Sequence, residues 1–378
     1  MKRVIFAGMA ALLMGCTSVK EDEFVIKGTV TDYGAEMLML AYQDSDQFVM
    51  DTLKVADGKI HYKTQATKPV MATLISRDPK HNITAGEGII PGEMIALYIE
   101  PGSVLQLTID GTRWPEISMK GGNLNNDLMK LYSKSLPLKR QSFETLAKSL
   151  SASASEEEKA QLAKEKADID RQTTEVTVDF VKENPASTVA LQFLSSLRNE
   201  MTLDEYAALF DGLAQAVKET PLGKETGERI EAARRSSVGA IAPDFEKKDK
   251  DGNVIRLSDY RGKYVYLDFW ASWCAPCRAS HPRLIQLYAE YEPKGLVLLG
   301  IDAQDTREAW LKAVEDDKLT WPQIANNDDK EKCDVVTLYS VTALPTKFLI
   351  DPEGKIIIRD TGEDGAIEGH LKALFGEK

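Results

Sequence analysis

The chain is poor in the residues that ligate metals or staple small folds: its 378 residues include four cysteines and four histidines. One Cys-x-x-Cys pair with two cysteines outside it is not a disulfide-stapled scaffold, and the histidines lack zinc-finger spacing. Positive charge is also in short supply. The 47 Lys and Arg against 59 Asp and Glu leave a net charge of −12, which argues against nucleic acid and anionic membrane surfaces as partners. No internal repeat is visible. The one membrane-related segment, residues 4–14 behind Lys2 and Arg3, is too short to span a bilayer and reads as a signal-peptide core. What is present is the composition of a soluble globular protein, with 43% hydrophobic residues and length for two or three compact units.

The most informative run is Asp268-Phe269-Trp270-Ala271-Ser272-Trp273-Cys274-Ala275-Pro276-Cys277. Its apolar approach, Tyr264-Val265-Tyr266-Leu267, predicts a strand, and the residues behind it predict a helix. A strand ending in Cys-x-x-Cys at the start of a helix is the layout a dithiol redox centre needs. The spacing brings the two sulfurs within reach of a bridge. A helix N-terminus adds unpaired N–H groups and partial positive charge, which stabilise a thiolate, the form that attacks disulfides. Alone, the pair is also open to a reading as half of a zinc site, which His281 and Cys333 would complete only by coincidence of fold.

The texture changes twice along the chain. Residues 24–120 carry short strand-like runs separated by Asp57-Gly58, Pro91-Gly92 and Pro101-Gly102, which predicts a β-sandwich-like N-terminal domain. His61 and His81 are isolated there and read as surface residues rather than ligands. Residues 121–237 read as helical. Ser155-Glu156-Glu157-Glu158 and Thr202-Leu203-Asp204-Glu205 are capping boxes, Leu203, Tyr206, Ala207 and Phe210 share a helical face, and Pro185 and Pro221 mark breaks. Residues 234–239 look like a linker. In residues 238–378 strands and helices alternate: a hairpin at Asp251-Gly252, a buried parallel strand over 296–301, a helix over 306–314, a second hairpin around Pro352-Glu353-Gly354, and a last helix over 366–375. The whole is therefore expected to be multidomain, ending in an α/β unit with a mixed sheet flanked by helices.

Leu13-Met14-Gly15-Cys16 resembles a bacterial lipoprotein signal, departing from the usual pattern at Met14. The resemblance implies a signal peptide of residues 1–15, lipidation of Cys16, and a tether over residues 16–23. The alternative is an ordinary cleaved signal with a free cysteine, or no signal at all. Lys20-Glu21-Asp22-Glu23 is similar to the export signal that moves Bacteroidetes lipoproteins to the cell surface, and is otherwise a solvated tether. The expected location is outside the cytoplasm, as an outer-membrane lipoprotein facing the periplasm or the cell surface and held to the membrane by its lipid alone.

Residues 238–378 resemble the thioredoxin-like fold, specifically the extracytoplasmic reductases of the TlpA/ResA type. Asp268-Phe269-Trp270 stands before Trp273-Cys274-Ala275-Pro276-Cys277, Pro282 lies about one helical turn further on, and Thr342-Ala343-Leu344-Pro345-Thr346 matches the family's cis-proline loop. Pro352-Glu353-Gly354 and Thr361-Gly362 follow in family order. The preceding part resembles the N-terminal extensions of Bacteroidetes lipoproteins that carry such a domain.

The resemblance implies that Cys274 is the attacking thiol, at the exposed helix end, and that Cys277 resolves the mixed disulfide. The redox-active Cys274–Cys277 disulfide would serve in place of any cofactor or metal. Pro345 would be cis and lie against the disulfide, with the backbone before it pairing a substrate chain as an added strand. Trp273, Ala275, Pro276, Leu344 and Thr346 would contact substrate, while Trp270 packs. Asp268 occupies the position of thioredoxin's buried acid, whereas many TlpA/ResA relatives have Asn there and a Glu three residues after the second cysteine, where this chain has Ser280. An apolar setting raises a carboxyl's pKa, which suits Asp268 to take the proton of Cys277. His281 shares a helical face with Cys274, Cys277 and Arg278, which would let it tune the thiols, but it is expected to face solvent. Cys333 is expected to be an idle or buried thiol, with a regulatory disulfide to it as the alternative.

The implied function is an extracytoplasmic protein-disulfide oxidoreductase that reduces disulfides in exported proteins and is itself re-reduced by a membrane thiol donor. Ala-Pro between the cysteines adds no charge or imidazole, so the expected potential is nearer thioredoxin's, about −270 mV, than DsbA's, about −120 mV. Two alternatives stand beside this. Peroxiredoxins share the fold, but they place Thr or Ser three residues before the peroxidatic cysteine and Pro seven before, where this chain has Ala271 and Leu267. The other is a partner-binding or scaffolding lipoprotein whose β and helical portions recognise the partner and whose redox domain is secondary.

Overall fold

The computed structural model describes residues 19–44, 47–85, 88–362 and 365–376. Cys16 and the expected signal lie outside the described residues. The chain divides into two compact units between Val217 and Lys218.

The first unit begins with strands β1 (Glu23–Thr31), β2 (Met37–Asp44), β3 (Gln47–Ala56), β4 (Lys59–Gln65), β5 (Val70–Ser76), β6 (Ile83–Ala85), β7 (Gly88–Ile90), β8 (Ile95–Ile99), β9 (Ser103–Asp110) and β10 (Ile117–Lys120). Eight of them form one sheet in the order β10-β9-β1-β4-β3-β2-β5-β8, and β6 pairs with β7. All neighbours are antiparallel except β1 and β9. Alternation sets the buried side: Phe24 and Ile26 of β1, Leu38 and Leu40 of β2, and Leu105 and Leu107 of β9 are all fully buried. The β3–β4 hairpin turns on Asp57-Gly58, both at positive φ, as the Asp-Gly signal predicts. His61 is exposed as expected, but His81 is not. Its ring bonds the nearby Ser76 hydroxyl, stacks on Trp114 and reaches the Gly111 carbonyl oxygen, the last two far away in sequence.

Helices α1 (Asn123–Ser149), α2 (Glu156–Glu183), α3 (Thr188–Leu194) and α4 (Leu203–Asp211) follow, and α5 (Gln215–Lys218) straddles the division. Both capping boxes form: Ser155 with Glu158 opens α2, and Thr202 with Glu205 opens α4.

The second unit contains α6 (Pro221–Arg235), the hairpin β11 (Glu246–Lys248) and β12 (Val254–Arg256), then β13 (Tyr264–Trp270), α7 (Ala275–Tyr291), β14 (Leu296–Asp302), α8 (Arg307–Asp316), β15 (Gln323–Ala325), α9 (Val335–Leu338), β16 (Thr346–Ile350), β17 (Ile356–Asp360) and α10 (Gly365–Phe375). Five strands form a sheet in the order β15-β14-β13-β16-β17, with β13 central, parallel to β14 and antiparallel to β16. Each face of this sheet carries its own apolar core, which is why β13 and β14 read as continuous hydrophobic runs. Val265, Leu267 and Phe269 of β13 point into one core, with Leu257, Tyr339 and Phe348. Tyr266 and Trp270 point into the other, with Cys274, Cys277, Leu284, Trp310 and Leu349. The C-terminal end of the central strand therefore delivers the chain to the second core and to the start of α7.

Candidate active site

Cys274 is the N-cap of α7, and Pro276 lies in the first turn, where its missing N–H costs nothing. The Cys274 amide donates to the Ala271 carbonyl at 3.0 Å, and the Cys277 amide donates to Cys274 Sγ at 3.3 Å. Cys274 and Cys277 are joined as a disulfide with Cα atoms 5.3 Å apart. Trp273, Ala275 and Pro276 are exposed around it. Cys274 itself is buried, contrary to the exposed helix end expected for it, because the bridge packs against Trp270 and Leu284. Trp270 is also fully buried and donates through Nε1 to Gln323 Oε1 at 3.1 Å.

The Leu344–Pro345 peptide is cis, as the loop's resemblance implied. Leu344 packs against the core that holds the cysteines, and Thr342 and Ala343 before it are exposed. Thr346 is buried, its hydroxyl donating to the Ala343 carbonyl at 2.6 Å and its backbone in register with Phe269. That side chain shapes the loop from within.

By alternation, Asp268 lies on the same face of β13 as Tyr266 and Trp270, the face that carries the disulfide. The setting is less apolar than the sequence suggested. Lys347 of β16, also buried, stands in register with it, on the face that Leu349 shares.

Ser272, Asp305 and Asp302 were not legible as site residues. Ser272, beside the motif's second tryptophan, is held by Asp305: the amide donates to Oδ2 at 2.5 Å and the hydroxyl to Oδ1 at 2.9 Å. Asp305 in turn lies beside Asp302 at the end of β14, its amide donating to Asp302 Oδ2. Burial, with the hydrogen bond and charge of Asp305 adding to it, pushes Asp302 up to about 8. The available signal was two acids three residues apart just past an apolar parallel strand.

His281, placed by the sequence on the helical face of the cysteines, also joins the site. It is not solvent-facing but buried, because Asp317 at the end of α8 docks against α7 and accepts from its Nδ1 at 2.7 Å. Arg278 holds the same carboxylate through Nε at 2.9 Å and Nη2 at 2.6 Å. Ser280, at the position where relatives place a Glu, bonds back to the Cys277 carbonyl. Cys333 is half-buried against the opposite core and is not disulfide-bonded. Among the described residues, no group of three or more His, Cys, Asp or Glu is placed to hold a metal ion, and no helix is long and apolar enough to cross a membrane.

A central strand running into a helix-capping Cys-x-x-Cys, with a cis-proline loop beside it on a mixed five-stranded sheet, defines a thioredoxin-like thiol–disulfide domain. Residues 238–359 match the AhpC/TSA family, and residues 24–128 match a domain of unknown function. The thiol-disulfide oxidoreductase ResA of Geobacillus kaustophilus is 39% identical over 140 residues, covering 36% of this chain and 78% of that protein. The ResA of Bacillus subtilis is 33% identical over 126 residues, covering 33% of this chain and 68% of that protein. Among solved structures, the thioredoxin domain of a thiol-disulfide oxidoreductase from Bacteroides vulgatus matches at 35% identity and a TM-score of 0.33, over 36% of this chain and 98% of that one. The chain belongs to the TlpA/ResA-like family of thiol-disulfide oxidoreductases, and it is an enzyme of protein-disulfide exchange.

Proposed function

We propose that this enzyme is exported, lipid-anchored through Cys16, and works as a reductant of disulfides in exported proteins. The observation that carries the redox role is the Cys274–Cys277 bridge at the N-cap of α7. The reduced Cys274 thiolate, stabilised by the helix N-terminus, attacks one sulfur of a substrate disulfide. The substrate's second sulfur leaves as a thiolate, and a mixed disulfide with Cys274 remains. Cys277 then attacks Cys274 Sγ, the internal bridge forms, and the substrate departs with both sulfurs reduced. The two electrons come from the enzyme's dithiol, which a membrane thiol donor restores.

Exposed Trp273, Ala275 and Pro276, with the loop around Leu344 and Pro345, make the rim onto which an extended substrate segment would lie. Asp268 and Lys347 supply buried charge on the disulfide face of the sheet. The reductive direction is favoured by Ala275-Pro276, which adds no charge or imidazole between the sulfurs. A redox titration against glutathione, run with insulin-reduction turnover, tests it. The expected potential lies near about −270 mV, and a value above about −150 mV would assign the enzyme to oxidation or isomerisation.

A further inference from the structure

His281 stands four residues after Cys277 on α7, and both side chains are buried, each only 1% exposed. Residues at this spacing face one another along a helix, and side chains lean back over the preceding turn, so the His281 ring lies over the turn that carries Cys277 and Arg278. The ring also meets Trp270 edge-to-face at 4.9 Å, inside the core that encloses the disulfide.

Its two nitrogens are treated differently. Nδ1 is 2.7 Å from Asp317 Oδ2. The Arg278 guanidinium beside Asp317 holds that carboxyl below the usual carboxylate range. An ionised carboxylate only accepts, so Nδ1 carries the proton. Nε2 is then a bare lone pair, and among the described residues it has no hydrogen-bond partner. A buried nitrogen left in that state calls for an explanation, since most buried polar atoms are paired.

We propose that His281, held by Asp317, accepts the proton of the Cys277 thiol as that thiol resolves the mixed disulfide on Cys274. The proposal rests on the thiol–disulfide exchange described above but not on its direction. The Cys277 S–H bond breaks and the proton goes to His281 Nε2. The Cys277 thiolate forms a bond to Cys274 Sγ, and the bond from Cys274 to the partner sulfur breaks, with its electron pair leaving on the partner thiolate. In the reverse direction the imidazolium returns the proton to Cys277. Asp317 is a positioning residue: it fixes the tautomer, and its negative charge offsets the positive charge that develops on the ring.

The charged groups facing the ring are Arg278 on its own helix, Asp317 from the end of α8, and Lys347 from β16. Burial holds His281 below its ordinary value of 6.5, with Asp317 opposing and the two cations reinforcing. The imidazole is therefore neutral, and able to accept a proton, at pH 7.

The test is stopped-flow mixing of the reduced full-length chain with dithiobis-nitrobenzoate between pH 5 and 9, with Cys16→Ser and Cys333→Ser in every arm. The first nitrothiolate released reports attack by Cys274, and the second reports resolution by Cys277. The expected result is a second phase that is flat from pH 6.5 to 8 and falls only below. In His281→Met, or His281→Gln should the first variant not fold, that phase slows on the order of 10²-fold at pH 7 and climbs about tenfold per pH unit toward the ordinary thiol value of about 8.5, while the first phase keeps its rate. Asp317→Asn should shift the same limb partway. A flat second phase in both His281 variants overturns the proposal, as does a limb that moves with Asp268→Asn instead. The parent chain alone also decides: a second phase that already tracks a thiol near pH 8.5 leaves His281 no role. Absence of any two-step release would reject the exchange chemistry itself, a different outcome from loss of the pH limb.

Discussion

Asp268 and Lys347 face each other in register across β13 and β16, both buried on the side of the sheet that carries the disulfide. An ammonium and a carboxylate at this depth are tolerated together far better than either is alone. Truncating one leaves an uncompensated buried charge, at a cost of about 3–5 kcal/mol, whereas replacing both can be nearly neutral. Lys347→Met and Asp268→Asn should each lower the melting temperature of the second unit, and the double variant should recover much of the loss. Calorimetry on the three variants measures this, and additive losses would contradict the pairing.

Asp302 sets a pH dependence of stability. Its native value of about 8 lies above the ordinary 3.8, so between those two values the unfolded chain has released a proton that the folded chain still holds. Its contribution is therefore fully favourable below pH 4, falls as pH rises, and is exhausted above about pH 8. Asp302→Asn cannot ionise and keeps a donor for Asp305. The variant should match the parent near pH 4 and melt higher at pH 8, by roughly 2–4 °C for each kcal/mol recovered. A melting difference that does not grow with pH would rule this out.

Gly300 makes room for the partner of Trp270. A methyl group there would collide with the Gln323 side chain, which is fully buried and accepts from Trp270 Nε1. Gly300→Ala should expel that amide and leave the indole N–H unpaired, costing about 1–3 kcal/mol. The expected signs are a lower denaturation midpoint and altered tryptophan fluorescence. Unchanged fluorescence would mean that the amide stays in place.

Trp273 is 62% exposed beside the disulfide. Losing so exposed a side chain should change stability by no more than about 0.5 kcal/mol. Tryptophans that a partner buries at the centre of an interface often carry much of the affinity, and Trp273 stands next to the reacting cysteine, so Trp273→Ala should raise KM for a folded disulfide substrate about tenfold. The loss should exceed that seen with a small disulfide. Equal losses on both would place Trp273 in the chemistry rather than in docking.

Much of this arrangement was legible in the chain because it is built from neighbours. The Asp57-Gly58 and Asp251-Gly252 hairpins follow from residues that accept positive φ, and the boxes at Ser155 and Thr202 close within four residues. The junction of β13 with α7 follows in the same way from an apolar run, a cysteine cap and Pro276. His281 was misplaced for the opposite reason. Helical spacing placed it on the face of the cysteines, but nothing between Ser280 and Pro282 announces Asp317, the partner that buries it from the far end of α8. His81 repeats the case, buried by Trp114 and Gly111 from beyond β9.

The sequence by itself determined that a dithiol stands at a strand–helix junction, since periodicity, capping and the spacing of two cysteines are properties of a short run of chain. Only the tertiary structure decided which charges surround that dithiol. Lys347 meets Asp268 through the register of two strands far apart in sequence, Asp305 reaches Ser272 across a parallel crossover, and Asp317 reaches His281 by helix docking. Register and docking are set by burial summed over whole faces, which no local window of residues contains.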